Sequence, residues 1–467
     1  DRFSSPEAVM TYSSAGIGAM SRNFHRFVRN HILPPAALES HPVVLNTWEA
    51  CFFDIDQDKL VRFAKEAKAT GFDMLVMDDG WFGDKYPRNN DRQGLGDWCV
   101  DKTKLPNGVQ GLISAADSHG IKFGLWIEPE MVNTESELYE KHPDWVIKGL
   151  VHETKHGRGG TQMVLDLSNP EVQDFIFDVV DKIMTENPDL DYIKWDANAS
   201  VMNHGSQYLP KDKQSHLFIE YHRGLINVCE RIRAKYPKLT MQSCATGGGR
   251  ANYGLMPYFD EFWVSDNSDA LQRIHIQWGT SYFYPANAMA AHISAVPNWI
   301  LDRRTSLKYR IDVAMSGRLG MEVQPKHMTE EEKDFCRKAI AEYKKIRPVV
   351  QLGDLYRLVS PYEGHNMASL MYVSEDKSEA AFFWWKTELM WSDLVPRMKM
   401  AGLDPDKKYV VHELNRVDND ELDYEGKTFT GKFLMEYGLE MPFKHWVDSE
   451  LHRSDWTSRV LHLTECK

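Results

Sequence analysis

Two short apolar runs of this chain each end in a carboxylate: Asp191-Tyr-Ile-Lys194-Trp-Asp196-Ala-Asn198 and, some seventy residues on, Phe262-Trp-Val-Ser-Asp266-Asn-Ser-Asp269. In a parallel β/α barrel the chemistry sits at the carboxyl ends of the strands, so two such strands would aim Asp196 and Asp266 into one pocket. Paired carboxylates there suggest glycoside hydrolysis. One attacks or stabilises an oxocarbenium-like centre while the other manages the proton of the leaving group. The plainer alternative is that each Asp only caps the helix that follows. Lys194 lies two residues before Asp196, on the same side of a strand, where its positive field favours a carboxylate over a carboxylic acid.

The elements that must position these residues are legible as a series. Strand-like runs with polar ends recur at Val43 to Glu49, Met74 to Asp79, Phe123 to Glu128, Tyr192 to Asp196, Leu239 to Cys244 and Phe262 to Asp266. Between them, stretches such as Lys59–Lys68, Val172–Met184 and Phe218–Ala234 carry apolar residues at helical spacing. Strand then helix, repeated, argues a parallel sheet with helices outside. Two weaker units around Ser281–Ser294 and Arg310–Glu322 bring the count to eight, a (β/α)8 barrel. A doubly wound open sheet is the competitor, but it would gather its site near a Gly-rich first turn, whereas here polar strand ends are spread over six units. After the charged helical stretch from Thr329 to Lys345 the pattern changes to short β runs without helices, at Leu355–Ser360, Ala368–Val373, Ala380–Trp385 and Tyr409–Leu414. The reading is a helical lead-in over 1–35, a catalytic barrel over 36–349 and a small antiparallel β-sandwich over 350–467.

A net charge of −13 argues against nucleic acid, which demands clustered Lys and Arg. No apolar run approaches the roughly twenty residues that span a bilayer, so no membrane partner is expected. Six cysteines at 51, 99, 229, 244, 336 and 466 show neither the density nor the spacing of a disulfide scaffold, which fits a reducing, cytoplasmic setting. The chain opens with Asp1 and shows no signal peptide, so a leader or an upstream domain is expected to have been removed.

A further set of motifs occurs in order: Trp48-Glu49-Ala50, Met77-Asp78-Asp79-Gly80-Trp81-Phe82-Gly83, Leu95-Gly96-Asp97-Trp98, Gly124-Leu-Trp126-Ile-Glu128-Pro-Glu130-Met-Val132, His142-Pro-Asp-Trp145, Lys194-Trp195-Asp196, Cys244-Ala-Thr-Gly247-Gly-Gly-Arg250 and Ser265-Asp266-Asn-Ser-Asp269. From about Phe3 to the C-terminus the chain resembles glycoside hydrolase family 36, the bacterial α-galactosidases, without the large N-terminal β-supersandwich domain usual in that family. The resemblance implies a retaining, double-displacement hydrolase of terminal α-galactosides with no metal or organic cofactor and a small carbohydrate as its substrate. Asp196 would be the nucleophile and Asp266 the general acid/base, Asp266 needing a partly apolar setting to hold its proton. Asp78 and Asp79 would accept hydrogen bonds from the axial O4 and from O6 of galactose. Trp126 would offer a flat wall and an indole donor, and Lys194 would donate to ring hydroxyls. Cys244 and Gly247 would meet the substituent at C2, and Arg250 of the same motif would also be a substrate-binding residue. Family members are often tetramers, and because the missing domain commonly contributes to subunit contacts, a homo-oligomer stays open.

Other readings compete with parts of this one. The Gly247–Arg250 turn as a phosphate cradle lacks both the P-loop Lys and a G-x-G-x-x-G register; His152 and His156 as metal ligands lack H-E-x-x-H context. Glu128 and Glu130 as a magnesium site lack a third ligand on a neighbouring strand. A non-catalytic carbohydrate binder would need neither Asp196 nor Asp266. The chain departs from the family pattern at Gly160 and Ala199, where a long cation is common, at Ala251-Asn252, and at Met321-Glu322-Val-Gln324. These departures make an α-N-acetylgalactosaminidase the runner-up on the same scaffold.

Overall fold

The computed structural model describes residues 5–39, 41–388, 395–417, 421–442, 448–449, 452–453 and 456–466. Eight parallel strands close into a barrel: β1 (Val44–Asn46), β2 (Met74–Met77), β3 (Lys122–Ile127), β4 (Tyr192–Trp195), β5 (Thr240–Ser243), β6 (Glu261–Trp263), β7 (Met289–Ser294) and β8 (Arg318–Glu322). All eight strands expected from the sequence are present, the two weaker ones as β7 and β8. Ladder bonds run one residue past the strands, from Asp196 N to Ile127 O at 2.8 Å and from Cys244 N to Trp195 O at 2.8 Å. Asp196 and Cys244 are therefore fixed at adjacent strand ends.

Helices follow seven of the eight strands. After the lead-in helix α1 (Gly16–Phe27) come α2 (Gln57–Thr70), α3 (Gly108–Ser118), α4 (Pro170–Glu186), α5 (Leu217–Lys235), α6 (Ala270–Thr280), α7 (Leu307–Ala314) and α8 (Glu330–Leu352). Their ends obey local chemistry. Asp56 caps α2 by accepting from Lys59 N, Asn169 with Pro170 opens α4, and Thr329 with Glu332 forms a reciprocal capping box on α8. No helix joins β5 to β6. The segment 244–260 carries Gly247-Gly248-Gly249 and Gly254, and the Asn252 side chain takes up the backbone N–H groups of Gly254 and Leu255, turn chemistry that competes with a helix. Among the described residues no helix is long and apolar enough to cross a membrane.

Behind the barrel, β9 (Asp354–Val359), β10 (Met367–Val373), β11 (Glu379–Lys386), β12 (Lys408–Leu414), β13 (Thr428–Thr430) and β14 (Ser458–Glu465) form one antiparallel sheet in the order β9-β10-β11-β14-β12-β13. Alternation along β10 and β11 sends Leu370, Tyr372, Phe383 and Trp385 into the barrel's apolar core and Met371, Val373, Phe382 and Trp384 into a second cluster. The layer opposite that second face is built, among the described residues, from Met398, Met400, Leu403, Leu434, Leu439 and Met441. It contains irregular chain and a short helix, Gly431–Glu436. The sheet is fastened to α7 through Asp312, which accepts from Asn415 Nδ2 and Ser458 Oγ, both at 2.7 Å.

Candidate functional site

A cavity of about 380 Å³ opens at the carboxyl ends of the barrel strands, within the size range of small-ligand sites. Asp78, Asp79, Trp126, Lys194, Asp196 and Asp266 all line it. The sequence expectation thus converges on one place for six of its nine residues.

Lys194 near the end of β4 and Asp196 just beyond it, two residues apart in continuing extended register, both enter the barrel interior, while Trp195 between them turns outward. Three donors converge on the Asp196 carboxylate: Trp126 Nε1 at 3.1 Å and Asn198 Nδ2 at 2.7 Å on one oxygen, and the Ala197 amide at 2.9 Å on the other. Asp266 is set differently. It accepts from Trp263 Nε1 at 3.0 Å, and burial, reinforced by the negative charge of Asp196, raises its pKa although Lys194 and the Trp263 bond pull the other way.

Lys194 pairs with Asp78, Nζ to Oδ2 at 2.8 Å, so its main partner is the carboxylate two strands away rather than Asp196 beside it. Burial disfavours the Lys194 charge, but Asp78 and the surrounding negative groups outweigh it and raise the ammonium well above its usual range. Asp78 also accepts from Asn46 Nδ2 at 2.9 Å, and burial raises its pKa against these bonds. Asp79 is gripped by Arg88, with Nε to Oδ1 at 3.0 Å and Nη2 to Oδ2 at 2.8 Å, a bidentate geometry that fixes the plane of the carboxylate.

Cys244 is buried against Trp263 and Ala290 next to Asp196, and burial followed by the Asp196 charge pushes its thiol well up. It is therefore a neutral, compact group, and like Gly247 it stands behind the cavity surface, which Thr246 supplies between them, rather than lining it as the sequence suggests. Gly247 adopts φ +85°, and a Cβ there would stand 2.7 Å from Ser265 Cα, so only glycine lets this turn lie against the strand end that carries Asp266. Arg250 departs from the expectation. Its guanidinium forks onto Glu130, Nη1 to Oε2 at 2.8 Å and Nη2 to Oε1 at 2.7 Å, and it does not line the cavity. Glu130 is fully buried and also accepts from Trp195 Nε1 and Tyr221 OH, so a cation was needed there to balance it.

Several lining residues were not singled out as a site in the sequence. Glu49 and Glu322 form an acidic pair at one wall, joined by the bond from Glu49 N to Glu322 Oε2 at 3.2 Å. Burial and the Glu322 charge raise the Glu49 carboxyl to about 8. Burial also opposes the charge on Glu322, yet the bond to His292 Nδ1 at 2.8 Å and the Lys194 charge outweigh it and hold Glu322 below its usual range. Gly320 leaves the space in which the His292 ring sits. Glu128, behind Asp196, is raised to about 8 by burial and by the Asp196 charge. Arg158 reaches the cavity from the segment where Gly160 replaces a commoner Arg, and its guanidinium is anchored by Asp91 at 2.9 Å. The cation displaced in sequence is therefore still present in space. Trp48, Trp263 and Trp299 complete the aromatic lining.

Comparison with known proteins agrees with this arrangement. Residues 2–353 match the Melibiase family and residues 367–463 the glycosyl hydrolase family 36 C-terminal domain. The chain is 40% identical over 427 residues to alpha-galactosidase AgaA of Geobacillus stearothermophilus, covering 91% of this chain and 58% of that protein. It is 40% identical over 460 residues to probable alpha-galactosidase G of Emericella nidulans, covering 97% and 60%. The crystal structure of AgaA superposes with a TM-score of 0.89 at 37% identity over 97% of this chain and 60% of that one; a variant of AgaA has been crystallised with raffinose. The chain thus spans about 60% of the length of these curated relatives. With the barrel matching one characteristic region and the sheet behind it the other, in the same order, the chain belongs to glycoside hydrolase family 36, the melibiases.

Proposed function

We propose that this chain carries the catalytic machinery of a retaining, exo-acting α-galactosidase that removes terminal α-linked galactose from oligosaccharides or glycoconjugates. The observation that carries the reading is the pairing of two carboxylates in one cavity under opposite conditions. Asp196 is oriented by three donors, and Asp266 is pushed by burial and by Asp196 toward its protonated form. In the first step an Asp196 oxygen attacks the anomeric carbon while the Asp266 proton passes to the glycosidic oxygen, which leaves as an alcohol. In the second, Asp266, now a carboxylate, takes a proton from water. The resulting hydroxide-like oxygen displaces Asp196 from the anomeric carbon and returns the original configuration.

The sugar is read by the acids opposite. Asp78 and Asp79 are held by Lys194 and Arg88 in fixed planes, which leaves acceptor positions for a pair of hydroxyls such as the axial O4 and O6. Lys194 supplies a donor, and Trp126 a wall. The relatives named above, one of them crystallised with raffinose, support α-galactosides as the substrate class.

Cys244 and Gly247 flank Thr246, which lines the cavity, and are packed tightly against Trp263 and Ser265, so this side has little room to recede, which favours a hydroxyl at C2 over an acetamido group. A site built for one pattern of polar groups discriminates strongly, because a mismatched group loses its hydrogen bonds on burial. The test compares kcat/KM on matched aryl α-galactoside and aryl α-N-acetylgalactosaminide. The galactoside is expected to be faster by about 10²-fold or more. A faster acetamido sugar would overturn the galactosidase reading, and binding of either without turnover would make the protein a carbohydrate binder.

A further inference from the structure

The rim of the cavity presents aromatic surface to solvent. After β7 the chain turns outward and leaves Trp299 52% exposed, with Ile300 and Leu301 beside it. The turn is braced from below. Buried Asn298 donates through Nδ2 to Ser268 Oγ and Ser294 Oγ, both at 3.1 Å, and its Oδ1 accepts from the amides of Ile300 and Leu301 at 3.1 and 3.0 Å. Backbone bonds from Asp302 N to Asn298 O and from Asn298 N to Arg303 O close it. Next to it stands Phe52, whose backbone lies at φ 50°, ψ −132°, a conformation that is costly for a residue with a Cβ. The Phe52 ring meets Trp299 edge-on with centroids 5.9 Å apart and meets Trp48 at 5.3 Å. Since Trp48 and Trp299 both line the cavity that holds Asp196 and Asp266, a run of aromatic rings joins the lining of that cavity to solvent.

We propose that Trp299, edged by Phe52 and held by Asn298, is a stacking platform for the aglycone, the sugar ring that the hydrolysed bond connects to the terminal galactose. This rests on the α-galactoside reading above. With galactose at the floor beside Asp196, the rest of the substrate must leave through the mouth, and the C–H face of a pyranose is an apolar disc matched to an indole face. A platform already fixed by its own hydrogen bonds loses little freedom when the sugar arrives. An exposed, mobile Trp would lack that advantage, and a Trp serving only the core would be covered.

The test is a ratio, so that overall damage cancels. The protein and its Trp299→Ala and Trp299→Tyr variants are assayed on melibiose, whose leaving group is a glucose ring, and on α-galactosyl fluoride, whose leaving group has no ring to stack. In Trp299→Ala the ratio of kcat/KM for melibiose to that for the fluoride is expected to fall about tenfold, with Trp299→Tyr restoring most of it. An unchanged ratio overturns the proposal. So does a shift in sedimentation coefficient with the ratio intact, which would place protein rather than sugar on the platform. If the unmutated protein hydrolyses neither probe, it is the α-galactoside reading that fails.

Discussion

At the floor of the barrel Glu261 accepts from Tyr192 OH and Gln242 Nε2, both at 2.7 Å, and from Arg318, with His41 Nδ1 3.2 Å from its other oxygen. At the top, six carboxylates line one cavity, Glu49, Asp78, Asp79, Asp196, Asp266 and Glu322, against two cations, Lys194 and Arg158. Both regions are buried ends of the same strands, but their charge balance differs. Below, burial would raise Glu261, yet Arg318 and His41 outweigh it and bring the group down to about 2. Above, burial and like charge prevail, and Asp78, Asp266 and Glu49 are all shifted upward. A matched buried pair holds strands together, whereas a surplus of buried acid pushes carboxyls toward their protonated forms and is costly unless a substrate uses it.

The sharpest way to break this contrast is at Asp196. Asp196→Ala should lower turnover by about 10⁴-fold or more, the scale seen when a catalytic carboxylate or nucleophile is removed. Added azide should restore part of it by entering from the vacated face and giving the β-galactosyl azide. Formation of the α-azide, or a variant with full activity, would remove Asp196 from the reaction. Asp266→Ala comes next, with a loss of about 10³-fold on melibiose. Its first step should be far less impaired on an aryl galactoside with a good leaving group, which needs no protonation. Equal impairment on both would show that Asp266 is not the acid.

The floor should respond in the opposite currency. Arg318→Ala takes the guanidinium away from buried Glu261 and is expected to cost ~3–5 kcal/mol of stability, read as a lowered denaturation midpoint. kcat/KM per folded molecule should stay within a few-fold. Loss of turnover at unchanged stability would erase the distinction between the two ends.

The smallest effect is on pH and has opposite signs at the two ends. Glu49 and Glu128, raised to about 8 from an ordinary 4.5, hold protons in the folded chain that the unfolded chain has released. Their contribution is therefore fully present below pH 4.5 and is lost as pH rises through 8. Glu261, lowered to about 2, contributes above pH 4.5 and loses that contribution as pH falls through 2. Glu49→Gln and Glu128→Gln should each flatten the fall in midpoint between pH 5 and 8.5; an unchanged slope in both would mean that other groups set it.

Much of the top of the barrel was legible in the sequence because strand periodicity places its residues. Once Tyr192 to Asp196 is a strand, Lys194 and Asp196 must share a face, and the Asp78-Asp79 and Trp126 strand ends must meet them in a closed barrel. What periodicity does not carry is pairing between loops. Arg88 on Asp79, Glu49 with Glu322 and His292, and the Asn298 clamp under Trp299 join segments whose spacing in sequence says nothing about their approach. Arg250 illustrates the same limit: its motif was visible, but the partner that draws it away, Glu130, sits 120 residues earlier. The second layer of the C-terminal region was expected from β runs alone, and its described residues pack through Met and Leu side chains on irregular chain, which leave no period to read.

The central claim is that Asp196 becomes bonded to the sugar. A 5-fluoro-α-galactosyl fluoride keeps the good leaving group needed to load the enzyme while its ring fluorine slows the hydrolysis that follows, so the intermediate should accumulate. Digestion and mass spectrometry should then find one fluorogalactosyl group per chain, on the peptide containing Lys194-Trp195-Asp196 and on the Asp196 carboxylate. A label on any other carboxylate, or turnover of the reagent with no covalent species at any time, would contradict the account.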